Sequence, residues 1–500
     1  MNLRPVAIVV VTLVPLLSWG GDASGQRSDA RRAIGGGEFT AESGQGSWQG
    51  FSSDLSSEQR AAAGSDVTPQ EYARARAALA EYERIYGRLP GLRTDVPTRY
   101  PFHPQAGLYE RDLFFNNFVD LDPAGGDAAI LDWNCTGYTY DTHQGHDSNP
   151  RSFAFQDIGV PIYAALDGRV VDAQDGNPDH STTLTDKPAN YVMIDHASAQ
   201  TGLYWHMRKG SVAVKTGDRV VAGQTIGMTA SSGFTDGPHL HFETWVNDVA
   251  VEPFSGKCNP GTSGFTKQLK FKRKTYLFDA GVTHEDLGKL PDRKLPPEQF
   301  PSSGQFQTDD DWLNIWLLVQ NLPKGSTMKL VFRRPNRSVA FDTGARSMGN
   351  DEFFRRSWWR QQWLAGDMRN ITGTWRVELH INGKKLATMP YEVMAKRDPK
   401  LNRAPVALKK IKFRSKPRAG VVPFCEINHP LVADDPDYDV VSYHYVWTVN
   451  GNVVRNVTIA AHSDALATNL FAKGDRLECT VTPTDGDLEA ASKTVSAKVK

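Results

Sequence analysis

Gly237-Pro238-His239-Leu240-His241-Phe242-Glu243 is the stretch that decides the fold. Polar and apolar residues alternate here with the two-residue period of a β-strand. His239, His241 and Glu243 therefore share one face, and Leu240 and Phe242 the other. The text before it has the same grain. Val160-Pro161-Ile162-Tyr163-Ala164, Gly168-Arg169-Val170-Val171, Tyr191-Val192-Met193-Ile194, Gly202-Leu203-Tyr204-Trp205 and Gln224-Thr225-Ile226-Gly227 are short apolar runs set between Gly-rich turns. No helix-length periodicity interrupts them between about Tyr100 and Phe254, which predicts an antiparallel sheet domain.

Further along, Trp312–Val319, Met328–Phe332 and Thr374–Leu379 read as strands, and Asn382-Gly383 is a hairpin signal. Residues 351–365, with Phe353, Phe354, Trp358, Trp359 and Trp363, read as a short helix or an aromatic loop, whose rings either pack in a core or stack on a ligand. Lys396-Arg397-Asp398-Pro399 marks a connector. After it, Tyr443–Val449 runs into Asn450-Gly451, and Trp447 stands between Cys425 and Cys479, a pattern that fits an immunoglobulin-like sandwich.

Toward the N-terminus, Thr68-Pro69-Gln70-Glu71 supplies an N-cap, a first-turn proline and a capping-box Glu. Tyr72, Ala75, Leu79, Tyr82 and Ile85 follow at helical spacing, and Gly87 and Pro90 end the run. Residues 26–66 are rich in Gly, Ser, Ala and Gln and read as a flexible tether. Arg4 and the apolar run Val6–Leu17, followed by small residues to Gly25, read as a secretory signal, with an uncleaved membrane anchor as the alternative.

The chain is 500 residues long, too much for one core, so several domains are expected. The expected division is 1–25 signal peptide, 26–66 flexible linker, 67–94 helical segment, 95–264 catalytic domain, 265–398 β-sandwich-like accessory domain and 404–500 Ig-like β-sandwich. Lys+Arg and Asp+Glu both number 57, which argues against a nucleic-acid binder driven by phosphate charge. Four cysteines in an exported chain suggest two bridges, and proximity within the expected domains favours Cys135 with Cys258 and Cys425 with Cys479.

Two imidazoles on one strand face, joined by a His and a carboxylate from His143-Gln144-Gly145-His146-Asp147, make the donor set of a catalytic zinc. Taking His143, Asp147 and His241 as metal ligands leaves a fourth position open for water or substrate. Nitrogen and oxygen donors without thiolate suit zinc, one ion per chain. His206 and His239 are left for acid–base work. Glu243, on the face of His241, is placed to orient that imidazole. No HExxH is present, so a Glu-base helix is absent. His146, His180 and His196 are read as structural.

These motifs, with Ile194-Asp195-His196, Tyr204-Trp205-His206 and Val214-Lys215-Thr216-Gly217-Asp218, give residues 139–254 a resemblance to the lysostaphin-like (LytM-type) zinc peptidases, which cut peptide cross-bridges in bacterial cell walls. The resemblance implies zinc on His143, Asp147 and His241, and proton transfer and transition-state stabilisation by His206 and His239. It implies a secreted or periplasmic metalloendopeptidase acting on peptidoglycan stem peptides or cross-bridges, monomeric, without nucleic acid, and not inserted in a membrane once the signal is removed. Ser148-Asn149-Pro150 and Trp205 depart from the family pattern, and these departures bear on the shape of the substrate groove. Two other readings stand beside it: a non-catalytic wall-binding or regulatory protein of the same fold, and a general extracellular zinc protease.

Overall fold

Thr68 and Glu71 close the capping box that their spacing predicts. The Thr68 hydroxyl accepts from the Glu71 N–H at 3.2 Å, and the Glu71 carboxylate accepts from the Thr68 N–H at 2.9 Å. Such caps contribute about 1 kcal/mol. This geometry comes from a computed structural model, which describes residues 46–52, 66–89, 97–105, 112–126, 129–271, 274–284, 303–308, 310, 312–323, 325–347, 354–364, 371–396, 398, 400–428 and 434–500. The expected signal peptide lies outside the described residues. Within the stretch read as a tether, strand β1 (Gly46–Ser52) is formed, and helix α1 (Pro69–Tyr86) follows. The described residues belong to one compact unit.

The central text becomes ten strands: β2 (Phe114–Asn117), β3 (His146–Asn149), β4 (Pro161–Tyr163), β5 (Gly168–Gln174), β6 (Tyr191–Asp195), β7 (Gln200–Trp205), β8 (Arg219–Val220), β9 (Thr225–Met228), β10 (Leu240–Val246) and β11 (Val249–Ala250). Eight of them form an antiparallel sheet in the order β2-β3-β10-β7-β6-β5-β8, with β11 beside β10, while β4 and β9 pair separately. Period-two alternation sorts the two faces. Val170, Val192, Ile194, Tyr204, Leu240 and Phe242 enter one core with Tyr100 and Ile162. Val171, Tyr191, Met193, Leu203, Trp205 and Trp245 face the other way and are covered by Ala75, Leu79 and Tyr82 of α1. Burying such side chains stabilises by roughly 1.5–3 kcal/mol each, so the helix is held by its apolar stripe more than by its cap. Ile85 has the same spacing but is 54% exposed, so the stripe stops at Tyr82.

Nine strands follow: β12 (Tyr276–Thr283), β13 (Gln305–Gln307), β14 (Trp312–Leu322), β15 (Thr327–Arg333), β16 (Val339–Asp342), β17 (Arg346–Ser347), β18 (Phe354–Leu364), β19 (Gly373–Ile381) and β20 (Lys384–Met394). The sheet β1-β18-β14-β12 and the sheet β13-β20-β19-β15-β16 share one core, which includes Val282, Leu317, Leu330, Trp375 and Tyr391. The reading of residues 351–365 as a short helix or aromatic loop is corrected: Phe354–Leu364 is a strand paired on both sides, with β14 and β1. Aromatic residues favour extended backbone, and the two flanking ladders satisfy its hydrogen bonds. The β19–β20 turn has Asn382 at φ +48° and Gly383 at φ +76°, the left-handed pair that a two-residue hairpin requires. Phe114 of β2 packs against Phe278, Trp316 and Leu318, joining this sandwich to the central sheet.

The last strands are β21 (Lys410–Phe413), β22 (Phe424–Asn428), β23 (Ser442–Val449), β24 (Asn452–Ile459), β25 (Ser463–Ala465), β26 (Arg476–Thr484) and β27 (Lys493–Lys498). They form the sheets β21-β22-β25 and β24-β23-β26-β27 around a core containing Ile427, Tyr445, Trp447 and Leu477. The disulfide Cys425–Cys479 ties one sheet to the other, and Cys135–Cys258 closes the second bridge. Both pairings are those expected from the sequence.

Cys425–Cys479 spans a sequence separation of 54 residues. Replacing both by Ala is expected to lower the stability of the C-terminal sheets by about 2–4 kcal/mol, mainly by freeing the unfolded chain. Denaturant unfolding followed by the fluorescence of the buried Trp447 measures it.

Candidate metal centre

Strand register brings the chemistry together. Asn117 on β2, Asp147 on β3, His241 on β10 and Trp205 on β7 are successive cross-strand neighbours. His143 comes from the loop before β3, directly after Thr142 at φ +64°. The result is a triangle of donor atoms. His143 Nε2 lies 3.1 Å from Asp147 Oδ1 and 3.1 Å from His241 Nδ1, and His241 Nδ1 lies 3.0 Å from the same oxygen. Adjacent ligands of a tetrahedral zinc with bonds of ~2.0–2.1 Å stand ~3.3 Å apart, so this triangle fits a metal of that size. All three side chains are buried.

A shell of partners aims each donor. The Nδ1–H of His143 donates to the Phe118 carbonyl at 2.7 Å, which leaves Nε2 for a metal. Asp147 Oδ2 accepts from the Asn117 amide at 2.7 Å, leaving Oδ1 toward the histidines. His241 Nε2–H donates to Glu243 at 3.2 Å. Glu243 is itself held by Trp205 Nε1 (3.1 Å), Trp245 Nε1 (2.7 Å) and Tyr72 of α1 (3.1 Å). Trp205, noted as a departure bearing on the groove, is thus buried beneath the helix as a donor to this carboxylate. Gly145 lets the loop pass over His241, since a Cβ there would sit 2.6 Å from its Nε2.

His206 and His239 complete the set. His206 follows the end of β7 at φ +61°, a left-handed conformation costing about 1–2 kcal/mol for a residue with a Cβ. Its Nδ1 bonds the Ser232 carbonyl at 2.7 Å, and Nε2 is buried with no hydrogen-bond partner. Ala230 joins the two residues, donating to the His206 carbonyl and accepting from the His239 N–H. Their rings are 4.5 Å apart, and the His206 ring is 6.0 Å from that of His241. His239 bonds the Gly237 carbonyl through Nδ1 at 3.0 Å, and its Nε2 lies 3.7 Å from Asp147 Oδ1.

The electrostatics divide the histidines. Burial, with His239 and His241 nearby, lowers His206 to about 3, so it is neutral at pH 7. Burial also opposes charge on His241, but hydrogen bonds from its ring to Asp147 and Glu243 outweigh it and push it up to about 10 in the metal-free centre. Burial likewise opposes ionisation of Asp147, yet His143 and His239 outweigh it and hold the carboxyl well below its usual range. The five residues named from the sequence are therefore all at one place. His146 instead pairs with Glu252 at 2.8 Å, His196 bonds the Asp167 carbonyl, and His180 lies beside Asp157 and Asp179.

Three residues at the centre carried no sequence signal: Asn117, Asp66, and Tyr140, whose ring lies 4.4 Å from that of His143 and whose hydroxyl accepts from the Asp66 N–H at 3.1 Å. Asp66 offers a carboxylate oxygen within 4.8 Å of the donor atoms of His143, Asp147 and His241. Elsewhere, Asp435, Asp437 and Asp439 also cluster, but Asp437 is already filled by Arg403 (2.7 Å) and Gln305 (2.8 Å).

Residues 143–253 match the family described as Peptidase family M23. The chain is 40% identical over 130 residues to a protein named peptidoglycan DD-endopeptidase ShyC from Vibrio cholerae, covering 26% of this chain and 27% of that protein. It is 34% identical over 118 residues to lysostaphin of Staphylococcus simulans, covering 22% of each. The chain spans about a quarter of the length of the curated relatives it matches. A solved structure, the catalytic domain of the antimicrobial peptidase lysostaphin from S. simulans, aligns at 23% identity over 29% of this chain and 89% of that one, with a TM-score of 0.18.

Because Asn117 and Gly145 act on the donors without touching a metal, Asn117→Ala and Gly145→Ala are expected to weaken metal affinity about 10–100-fold while the fold is kept. Competition against a coloured chelator, with circular dichroism as the check on folding, measures both.

Proposed function

Starting from a Peptidase M23 domain of the lysostaphin type at residues 143–253, we propose that this protein is a zinc metalloendopeptidase that hydrolyses peptide bonds in peptidoglycan stem peptides or cross-bridges. The observation that carries the reading is the triangle of His143 Nε2, Asp147 Oδ1 and His241 Nδ1, faced by the buried Nε2 of His206, which has no hydrogen-bond partner, and by His239. The named relatives support the substrate class, and the geometry supports the chemistry.

In this reading the three donors hold one zinc, leaving a fourth position as catalytic sites require. A zinc held by these residues would supply Lewis acidity, lowering the pKa of a water from about 15.7 toward 7. The protein's own groups do the rest. His206 is kept neutral by burial, with its proton on Nδ1 fixed by Ser232, so its Nε2 accepts a proton from the attacking water and returns it to the leaving amine. Burial opposes a proton on His239, but Asp147 and Asp66 outweigh it and raise its pKa, so its Nε2–H faces negative charge developing on the carbonyl oxygen. Asn117 and Glu243 fix the orientation of the carboxylate and the imidazole.

In this reading the protein acts outside the cytoplasm, and the two disulfides, which suit an oxidising compartment, support it. Among the described residues no helix is long and apolar enough to cross a membrane. In this reading the central sheet with α1 is the catalytic part, and residues 265–398 and 404–500 are two accessory sandwiches, the second immunoglobulin-like.

Two variants separate metal binding from proton transfer. His241→Ala is expected to lose both zinc and activity. His206→Ala is expected to keep one zinc while turnover on isolated sacculi falls by about 10²–10⁴. Elemental analysis and the release of new amino termini read the two effects. Loss of zinc from the His206 variant would reassign that residue, and sacculi digestion insensitive to zinc removal would sink the enzymatic reading. Equal cleavage of casein would point to a general protease.

A further inference from the structure

Asp435-Pro436-Asp437-Tyr438-Asp439, in the loop before β23, sets carboxylates at alternate positions and draws one oxygen of each within 4.8 Å of the others. We propose that Asp435 and Asp439, with the cavity they line, hold a calcium ion that clasps the C-terminal sheets to β12 and to the segment after β3. The site shares no residue with the zinc centre and does not depend on how that centre is read.

Crowded acids alone do not point to a cation. The second observation is a buried oxygen left without a donor. Asp435 is 1% exposed. Its Oδ1 accepts from the N–H of Asp437 at 2.7 Å and from that of Asp439 at 3.4 Å, while its buried Oδ2 has no hydrogen-bond partner. A buried carboxylate oxygen is costly unless a donor or a cation meets it. The loop is held in this shape from outside. Tyr438 turns the chain at φ +63°, and its hydroxyl donates to the Pro390 carbonyl of β20 at 2.7 Å. Asp437 is spent on Arg403 and on Gln305 of β13. The preceding sandwich therefore pins the loop with Asp435 and Asp439 side by side.

Both residues line a cavity of about 30 Å³. That is room for about two water-sized species, or an ion with a water beside it. Asp279 of β12 and Asp434 add carboxylates to its wall, and Arg151, 3.9 Å from Asp279 Oδ1, is the one guanidinium among the described residues there. His462 also lines it but is spent, with Nδ1 on Asp112 and Nε2 on the Tyr443 hydroxyl at 2.9 Å. The wall thus carries an excess of negative charge and offers oxygen donors. Calcium takes about 6–8 oxygens in a flexible shell that carbonyls and water can complete, whereas zinc would want nitrogen or sulfur. A proton is the competing occupant. Burial, and then the charges of Asp439 and Asp437, push Asp435 up to about 7 against the pull of the two loop N–H groups. A proton would serve Asp435 alone, whereas a cation needs Asp439 as well, and that difference separates the two.

Equilibrium dialysis of full-length, zinc-loaded protein against calcium chloride, read by elemental analysis, tests the site without any measure of turnover. The parent is expected to take up one calcium per chain with a Kd of about 10⁻⁴–10⁻³ M, the range of extracellular modules. Asp439→Asn, at an exposed position that leaves the fold intact, should weaken binding at least about tenfold, and Asp435→Asn should abolish saturation. His241→Ala, which removes a ligand of the other centre, should bind calcium as the parent does. In scanning calorimetry calcium should raise the unfolding temperature of the parent and of His241→Ala by several degrees and leave the two Asn variants unmoved. No saturable uptake by the parent up to about 10⁻² M would overturn the site, as would equal uptake by Asp439→Asn or loss of uptake in His241→Ala. An Asp435→Asn variant at least as stable as the parent, together with no effect of calcium on either, would give the cavity to a proton instead.

Discussion

Asp147 is a buried carboxylate, and its compensation is the constraint on which the site depends. An isolated anion taken out of water costs many kcal/mol, so a fold that buries one must supply donors or positive charge. Here Asn117 takes one oxygen, and His143 and His241 converge on the other. This works only if β2, β3 and β10 lie side by side in one register, because a slip of a single residue would send His241 and Asp147 to the opposite face. Two imidazoles converge on one carboxylate oxygen, and although burial opposes its ionisation, the neighbouring histidines hold the carboxyl well below its usual range.

Glu243 repeats the logic one step outward. It is fully buried and accepts from His241, two tryptophans and Tyr72. The helix that covers the sheet is therefore part of the metal centre's support as well as a cap on the apolar face. One segment of about twenty residues does three things: it buries Leu79 and Tyr82, it orients Glu243 through Tyr72, and it carries Asp66 to the centre. Packing and chemistry are tied together because all three occur on one face of one sheet.

The sandwich that contains β12 and β14 meets the site's sheet at β2. Phe114 packs into the cluster of Phe278, Trp316 and Leu318, while Asn117, three residues on, holds Asp147. At the other junction the Ala460 N–H donates to the Gly159 carbonyl at 2.9 Å, and the His462 N–H donates to Asp112 at 3.0 Å. These contacts hold the C-terminal sheets against the segments that precede β2 and β4.

Local grammar was legible in the residues alone. Thr68-x-x-Glu71 set a helix start, Asn382-Gly383 and Asn450-Gly451 set tight turns, and His239-x-His241 put two imidazoles on one face, since each depends on atoms only a few residues apart. The donor types were legible too, because metal chemistry restricts which side chains serve. The aromatic run at 354–364 was misread because a strand's ladder lies in its neighbours, and β1 and β14 are distant in sequence. Asn117, Tyr140 and Asp66 were invisible for the same reason: Asp66 meets its partners 74 and more positions away. The two-residue period says which way a side chain points, and only the folded sheet decides what stands opposite it.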